Sequence, residues 1–134
     1  MPPFLDTNIF LRHLTGDIPD QAQKATLFFE KVERGDLKVA TSDIVVLEVV
    51  WTLERYYKKS RQEIKSALLP LLQLKNIRLT GKRQLPKVFD FYINLNIPFA
   101  DAYHILFMEK NKLIQIISFD RDFDKVPGIT RIEP

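Results

Sequence analysis

Cysteine is absent from this chain of 134 residues. Disulfides, thiolate nucleophiles and cysteine-ligated zinc are thereby excluded, and any metal must bind oxygen or imidazole. Histidine occurs only at His13 and His104, which lie in different segments without ligand spacing, so a place on the surface or in core packing is expected of each. Glycine is scarce too. Gly16, Gly35, Gly81 and Gly128 stand singly, and Gly81-Lys82-Arg83 lacks the spacing of a phosphate-cradling loop. No apolar run approaches the roughly 20 residues of a membrane span. The opening Met-Pro-Pro-Phe-Leu-Asp has neither the basic nor the apolar region of a signal peptide, and a cytoplasmic protein is expected.

What is present suits one folded domain over residues 1–134. Hydrophobic residues make up 46% and charged residues 28%, far from the composition of a disordered chain. The net charge of +3 is compatible with a polyanionic partner without requiring one. Short apolar runs at Phe4-Leu5, Leu37–Val39, Ile77–Leu79, Ile114–Ile117 and Ile129–Ile132 read as strands. Helical spacing is expected over Asp20–Arg34, from a Ser42 cap through Tyr57, and over Arg61–Leu74, Arg83–Leu95 and Ala100–Asn111. Such alternation predicts an α/β fold, a central parallel sheet of four to five strands with helices on both faces. Chemistry in such folds gathers at the carboxyl edge of the strands.

Four acids fall near that edge. Asp6 follows the first strand, where it could equally be a helix cap, but Thr7 and Asn8 are competing caps beside it. Glu48 is the only charge between Asp43 and Glu54 in a segment that looks buried. A buried carboxylate there would need a cation, unless it lies on the exposed stripe of its helix. Asp101 begins a helix after Ile-Pro-Phe-Ala, and Asp120 follows a strand in Ser-Phe-Asp-Arg-Asp-Phe-Asp, with Asp122 and Asp124 as alternatives. Either acid alone would pass for a helix-start or turn residue. Four converging carboxylates repel one another unless a hard cation such as Mg²⁺ or Mn²⁺ lies between them. Such an ion supports hydrolysis of a phosphodiester.

Phe-Leu-Asp-Thr-Asn, Ser-Asp-Ile-Val-Val-Leu-Glu-Val-Val, Ala-Asp-Ala-Tyr-His-Ile and Ser-Phe-Asp-Arg-Asp-Phe-Asp-Lys-Val-Pro-Gly-Ile, in that order, resemble the four acidic motifs of PIN-domain ribonucleases. The resemblance spans almost the whole chain, whose compact length is similar to that of VapC-type toxins of toxin-antitoxin pairs. It implies an α/β/α sandwich and metal-dependent endoribonuclease activity. It assigns Asp6, Glu48, Asp101 and Asp120 to the metal site, with Asp122 as an additional acid and Asn8 and Ser118 as polar supports. It further implies an RNA substrate, a homodimer and a cognate antitoxin. Ser118 stands where the family more often has threonine, which keeps the hydroxyl.

Three other readings compete. A phosphatase with a nucleophilic aspartate after its first strand needs an acid two residues on, where Asn8 stands. A non-catalytic module would use the acidic cleft to hold a basic peptide, and a nuclease outside a toxin-antitoxin system would share every motif. Arg12, Arg55, Lys58, Lys59, Arg61 and Arg121 could serve as phosphate contacts or as ordinary solvated charges. Trp51, Tyr56 and Tyr57 are expected in the core or at a dimer interface.

Overall fold

The computed structural model describes all of residues 1–134 and divides into two compact units, Met1–Arg83 and Gln84–Pro134. In the first, Phe4 bridges to Ala40 in parallel, and the chain turns at once into α1 (Thr7–Thr15) and then α2 (Pro19–Arg34). Both helices end on a glycine in the left-handed region, Gly16 at φ 67° and Gly35 at φ 88°, a conformation that a Cβ would strain. Strand β1 (Val39–Ala40) pairs in parallel with β2 (Ile77–Arg78), Val39 opposite Ile77. The spatial order is therefore Phe4, β1, β2. Between β1 and β2 the chain makes α3 (Asp43–Arg55) and α4 (Arg61–Leu72).

The β-branched run of α3 adopts the helix that its length demanded. Ser42 caps it, its hydroxyl accepting from the Val45 amide at 3.3 Å, and Val45, Val46, Val49, Val50 and Leu53 are buried along one face. Each such side chain contributes about 1.5–3 kcal/mol on burial, which outweighs the weak helix propensity of valine. The opposite face is open to solvent: Ile44 is 63% and Trp51 64% exposed, and Glu48 lies exposed between them. The segment is buried on one side only, because its apolar content exceeds what a single face can pack, and of the two places expected for Trp51 and Tyr56 the core is the one they do not occupy, both being exposed. Helix α3 also stops at Arg55, short of Tyr57, whose hydroxyl donates to Asp17 at 2.5 Å.

The second unit contains α5 (Leu85–Asn94), α6 (Phe99–Lys110), β3 (Gln115–Ile117), a 3-10 turn at Arg121–Lys125 and β4 (Thr130–Ile132). Helices α5 and α6 meet through an aromatic cluster, Phe89 and Tyr92 each packing edge-on against Phe99 at ring separations of 4.9 and 5.1 Å. Strands β3 and β4 run parallel, Ile116 opposite Arg131. Hydrogen bonding thus defines a small parallel array in each unit, with two α-helices between β1 and β2 and only the 3-10 turn between β3 and β4. No helix is long and apolar enough to cross a membrane.

Candidate metal centre

In the second unit, α6 begins at Phe99 after Pro98 and places Asp101 in its first turn, where the positive end of the helix dipole favours a carboxylate. Strand β3 ends at Ile117, and Ser118 then shapes the turn that carries Asp120. The Asp120 amide donates to Ser118 Oγ at 2.9 Å, and Asp120 Oδ1 in turn accepts from the Asp122 amide at 2.9 Å. One oxygen from each of Asp101, Asp120 and Asp122 comes within 4.8 Å of the others. Asp124 is drawn away, held by Arg131 at 3.0 Å, and the same guanidinium donates to the Ser118 carbonyl at 3.1 Å.

This clustering has an electrostatic signature. The Asp101 carboxyl is pushed above the usual carboxylate range, first by burial and then by the negative charge of Asp120, with Asp122 adding to it and His104 opposing it. Lys125 relieves part of the negative charge through an ion pair with Asp122 at 3.1 Å. Three carboxylate oxygens this close, with the repulsion only partly balanced, form a hard-donor set that fits a divalent cation such as Mg²⁺ or Mn²⁺. An Asp101, Asp120 and Asp122 set could hold it while leaving positions for water and substrate oxygen.

In the first unit, Asp6 is the N-cap residue of α1, yet its side chain makes no capping hydrogen bond and is exposed. The carboxylate is therefore available for another task. Glu48 lies on the exposed stripe of its helix, one of the two placements its sequence leaves open. Its Oε2 accepts from the Thr7 hydroxyl at 2.7 Å, linking α3 to the residue next to Asp6. Thr7, only 7% exposed, is the residue that sequence reasoning missed as a site support; its position between two polar neighbours made it look like a spare cap. Thr41 reinforces the same carboxyl edge, donating to the Leu5 carbonyl at 2.8 Å. Asn8 is exposed and lines a groove with Phe4, Ile9 and Arg12.

Of the cationic candidates, Arg12 is engaged by Asp17 at 3.2 Å and Gln21 at 2.9 Å, and Arg61 reaches Glu54 at 3.8 Å. Arg55, Lys58, Lys59 and Arg121 are exposed. His13 packs against the Phe29 ring at 4.9 Å and bonds Thr26 at 2.9 Å, as expected of a packing histidine, and burial lowers its pKa. His104 is exposed.

Comparison with known proteins agrees with these motifs. The PIN domain family matches residues 4–129. A protein named VapC ribonuclease, from Aquifex aeolicus (strain VF5), is 26% identical over 130 residues, an alignment that covers 97% of this chain and 95% of that relative.

Proposed function

The chain belongs to the PIN domain family, and from that premise we propose that it is a metal-dependent endoribonuclease acting as the toxin of a toxin-antitoxin pair. The observation that carries this reading is the close approach of Asp101, Asp120 and Asp122, whose oxygens lie within 4.8 Å of one another. The similarity to a protein named VapC ribonuclease over nearly the full length of both chains supports RNA as substrate and a cognate antitoxin as partner. The proposal extends to a homodimer in the cytoplasm and to one nuclease domain over residues 1–134. Its central parallel sheet would have four to five strands.

We assign Asp6, Glu48, Asp101 and Asp120 as the metal-site acids, with Asp122 as a further ligand. Bound there, Mg²⁺ or Mn²⁺ supplies charge neutralisation and water activation for hydrolysis of a P–O bond. The chain's own residues prepare the site. Ser118 fixes the turn that presents Asp120, Lys125 balances Asp122, and Thr7 holds Glu48 by its hydrogen bond. Such supports orient first ligands and tune their charge. Asn8, next to Thr7, is assigned with Ser118 as a polar support of the site.

The test is cleavage of a structured RNA pool with Mg²⁺, without it, and after EDTA. Wild type cleaves only with the metal, while Asp6→Asn and Asp101→Asn each lose cleavage and keep their far-UV spectrum. Full cleavage by both purified variants would defeat the assignment of the acids. No metal-dependent cleavage by the wild type at any concentration would favour a module that holds a basic peptide. Cuts confined to one loop would mark a sequence-reading toxin, and scattered cuts a general processing nuclease.

A further inference from the structure

The first unit's parallel array has two chemically different edges. Its carboxyl edge carries Asp6 after the Phe4 segment and Asp43 and Glu48 in the helix that follows β1. Its amino edge carries the opposite charge. Pro3, Lys38 and Asn76 immediately precede Phe4, β1 and β2. Together with Lys75 and Arg78 they line a cleft of about 570 Å³ whose walls hold no acidic residue. Lys38, Lys75 and Arg78 are all exposed and have no ion-pair partner. Asp36, the acid nearest Lys38 in sequence, is taken up by Arg34 at 3.2 Å. The cleft floor is held in place: the Asn76 amide group donates to the Val32 carbonyl at 3.1 Å, and the Val39 amide donates to the Asn76 carbonyl at 2.9 Å.

Three exposed cations without ion-pair partners around one concavity concentrate positive potential there and attract an anion. Acids at a cutting edge repel the phosphates they must approach, so a nuclease needs positive charge elsewhere to retain its substrate. We infer that the cleft formed by Lys38, Lys75 and Arg78 binds backbone phosphates of RNA, a holding site on the amino edge of the array whose carboxyl edge carries Asp6. The inference rests on the ribonuclease reading for the identity of the polyanion. Contacts from three flexible cations to phosphate carry no base information, so the site would hold any sequence alike.

The experiment measures binding of a labelled single-stranded RNA to the full chain in EDTA, by anisotropy, over a range of NaCl. The variants are Lys38→Ala/Lys75→Ala/Arg78→Ala and a control, Lys31→Ala/Lys110→Ala/Lys112→Ala, which removes the same charge from exposed positions outside the cleft. Losing three phosphate contacts should weaken binding roughly tenfold or more and flatten the slope of log affinity against log salt by about 2. The control should shift far less, and the charge-retaining Lys38→Arg/Lys75→Arg/Arg78→Lys should restore binding. With Mg²⁺, the cleft variant should raise KM for long RNA and leave kcat on a short oligonucleotide unchanged. Equal weakening by cleft and control variants, or unchanged binding by the cleft variant, would overturn the inference. So would saturable uptake of inorganic phosphate at the cleft with RNA affinity unaffected by the substitutions, which would mark a small-anion pocket. Failure of the nuclease reading looks different: wild type cleaves nothing with Mg²⁺, yet the cleft variant still loses RNA.

Discussion

The hydroxyl of Thr7 donates to Glu48 Oε2 at 2.7 Å, and the residue is almost wholly enclosed. No other hydrogen bond or ion pair restrains the Glu48 carboxylate, which stands on the open face of α3. Replacing Thr7 by valine keeps the volume and removes only the donor. Because Glu48 is exposed, water can replace the lost partner, and the cost to stability should be about 1 kcal/mol or less. The cost to activity should be larger, since a support of this kind is typically worth roughly 10- to 100-fold. Thr7→Val is therefore expected to unfold almost as wild type in urea while its metal-dependent RNA cleavage falls at least tenfold. Equal cleavage by the two proteins would mean that the hydrogen bond is structural only. The sequence showed the acids on both sides of this link but not the link itself, since Thr7 and Glu48 are 41 positions apart and a threonine in a row of cap-competent residues carries no signal of its partner.

At the scale of elements, legibility followed local chemistry. Helix ends governed by glycine in the left-handed region or by a serine cap, such as Gly35 after α2 and Ser42 before α3, fall where their residues indicate. The strands shrink to two or three residues, because pairing depends on which chain lies alongside, and composition does not encode that. The apolar run of α3 hid its polarity for a related reason: Ile44 and Trp51 look like core residues and stand on the outer face with Glu48, so periodicity could not say which side was buried. The cap of α3 then bears on the proposed metal site as well as on folding. Ser42 both ends β1's exit and starts the helix that carries Glu48, its hydroxyl meeting the Val45 amide. Ser42→Ala should cost about 1 kcal/mol, a fall in melting temperature on the order of 4 °C for a chain of this size. A calorimetric scan checks it, and an unchanged melting temperature would show that tertiary packing of Val45, Val46 and Val49 alone sets the start of α3.

For the molecule as a whole, the decisive quantity is the free energy stored in its acidic cluster without metal. Burial and the neighbouring charge of Asp120 raise the Asp101 pKa. A carboxyl whose folded pKa lies above its unfolded one stabilises the fold fully below the unfolded value of 3.8, and that contribution is lost as pH rises through the folded pKa. At neutral pH in EDTA the folded protein therefore carries a charge it resists, and Asp101→Asn, which removes the charge, should melt higher than wild type. A cation reverses the order. Binding to the folded state alone adds RT ln(1 + [L]/Kd), about 2.7 kcal/mol at a hundredfold excess over Kd, so Mg²⁺ should raise the wild-type melting temperature while leaving Asp101→Asn nearly unmoved. Asp6→Asn asks separately whether the aspartate after the first strand serves the same ion, and a reduced Mg²⁺ shift in that variant is the expected result. If wild type and Asp101→Asn instead respond alike to Mg²⁺ in thermal melts at fixed ionic strength, then the closeness of Asp101, Asp120 and Asp122 reflects loop geometry, with Lys125 as sufficient counter-charge, and the carboxylates are not a metal site.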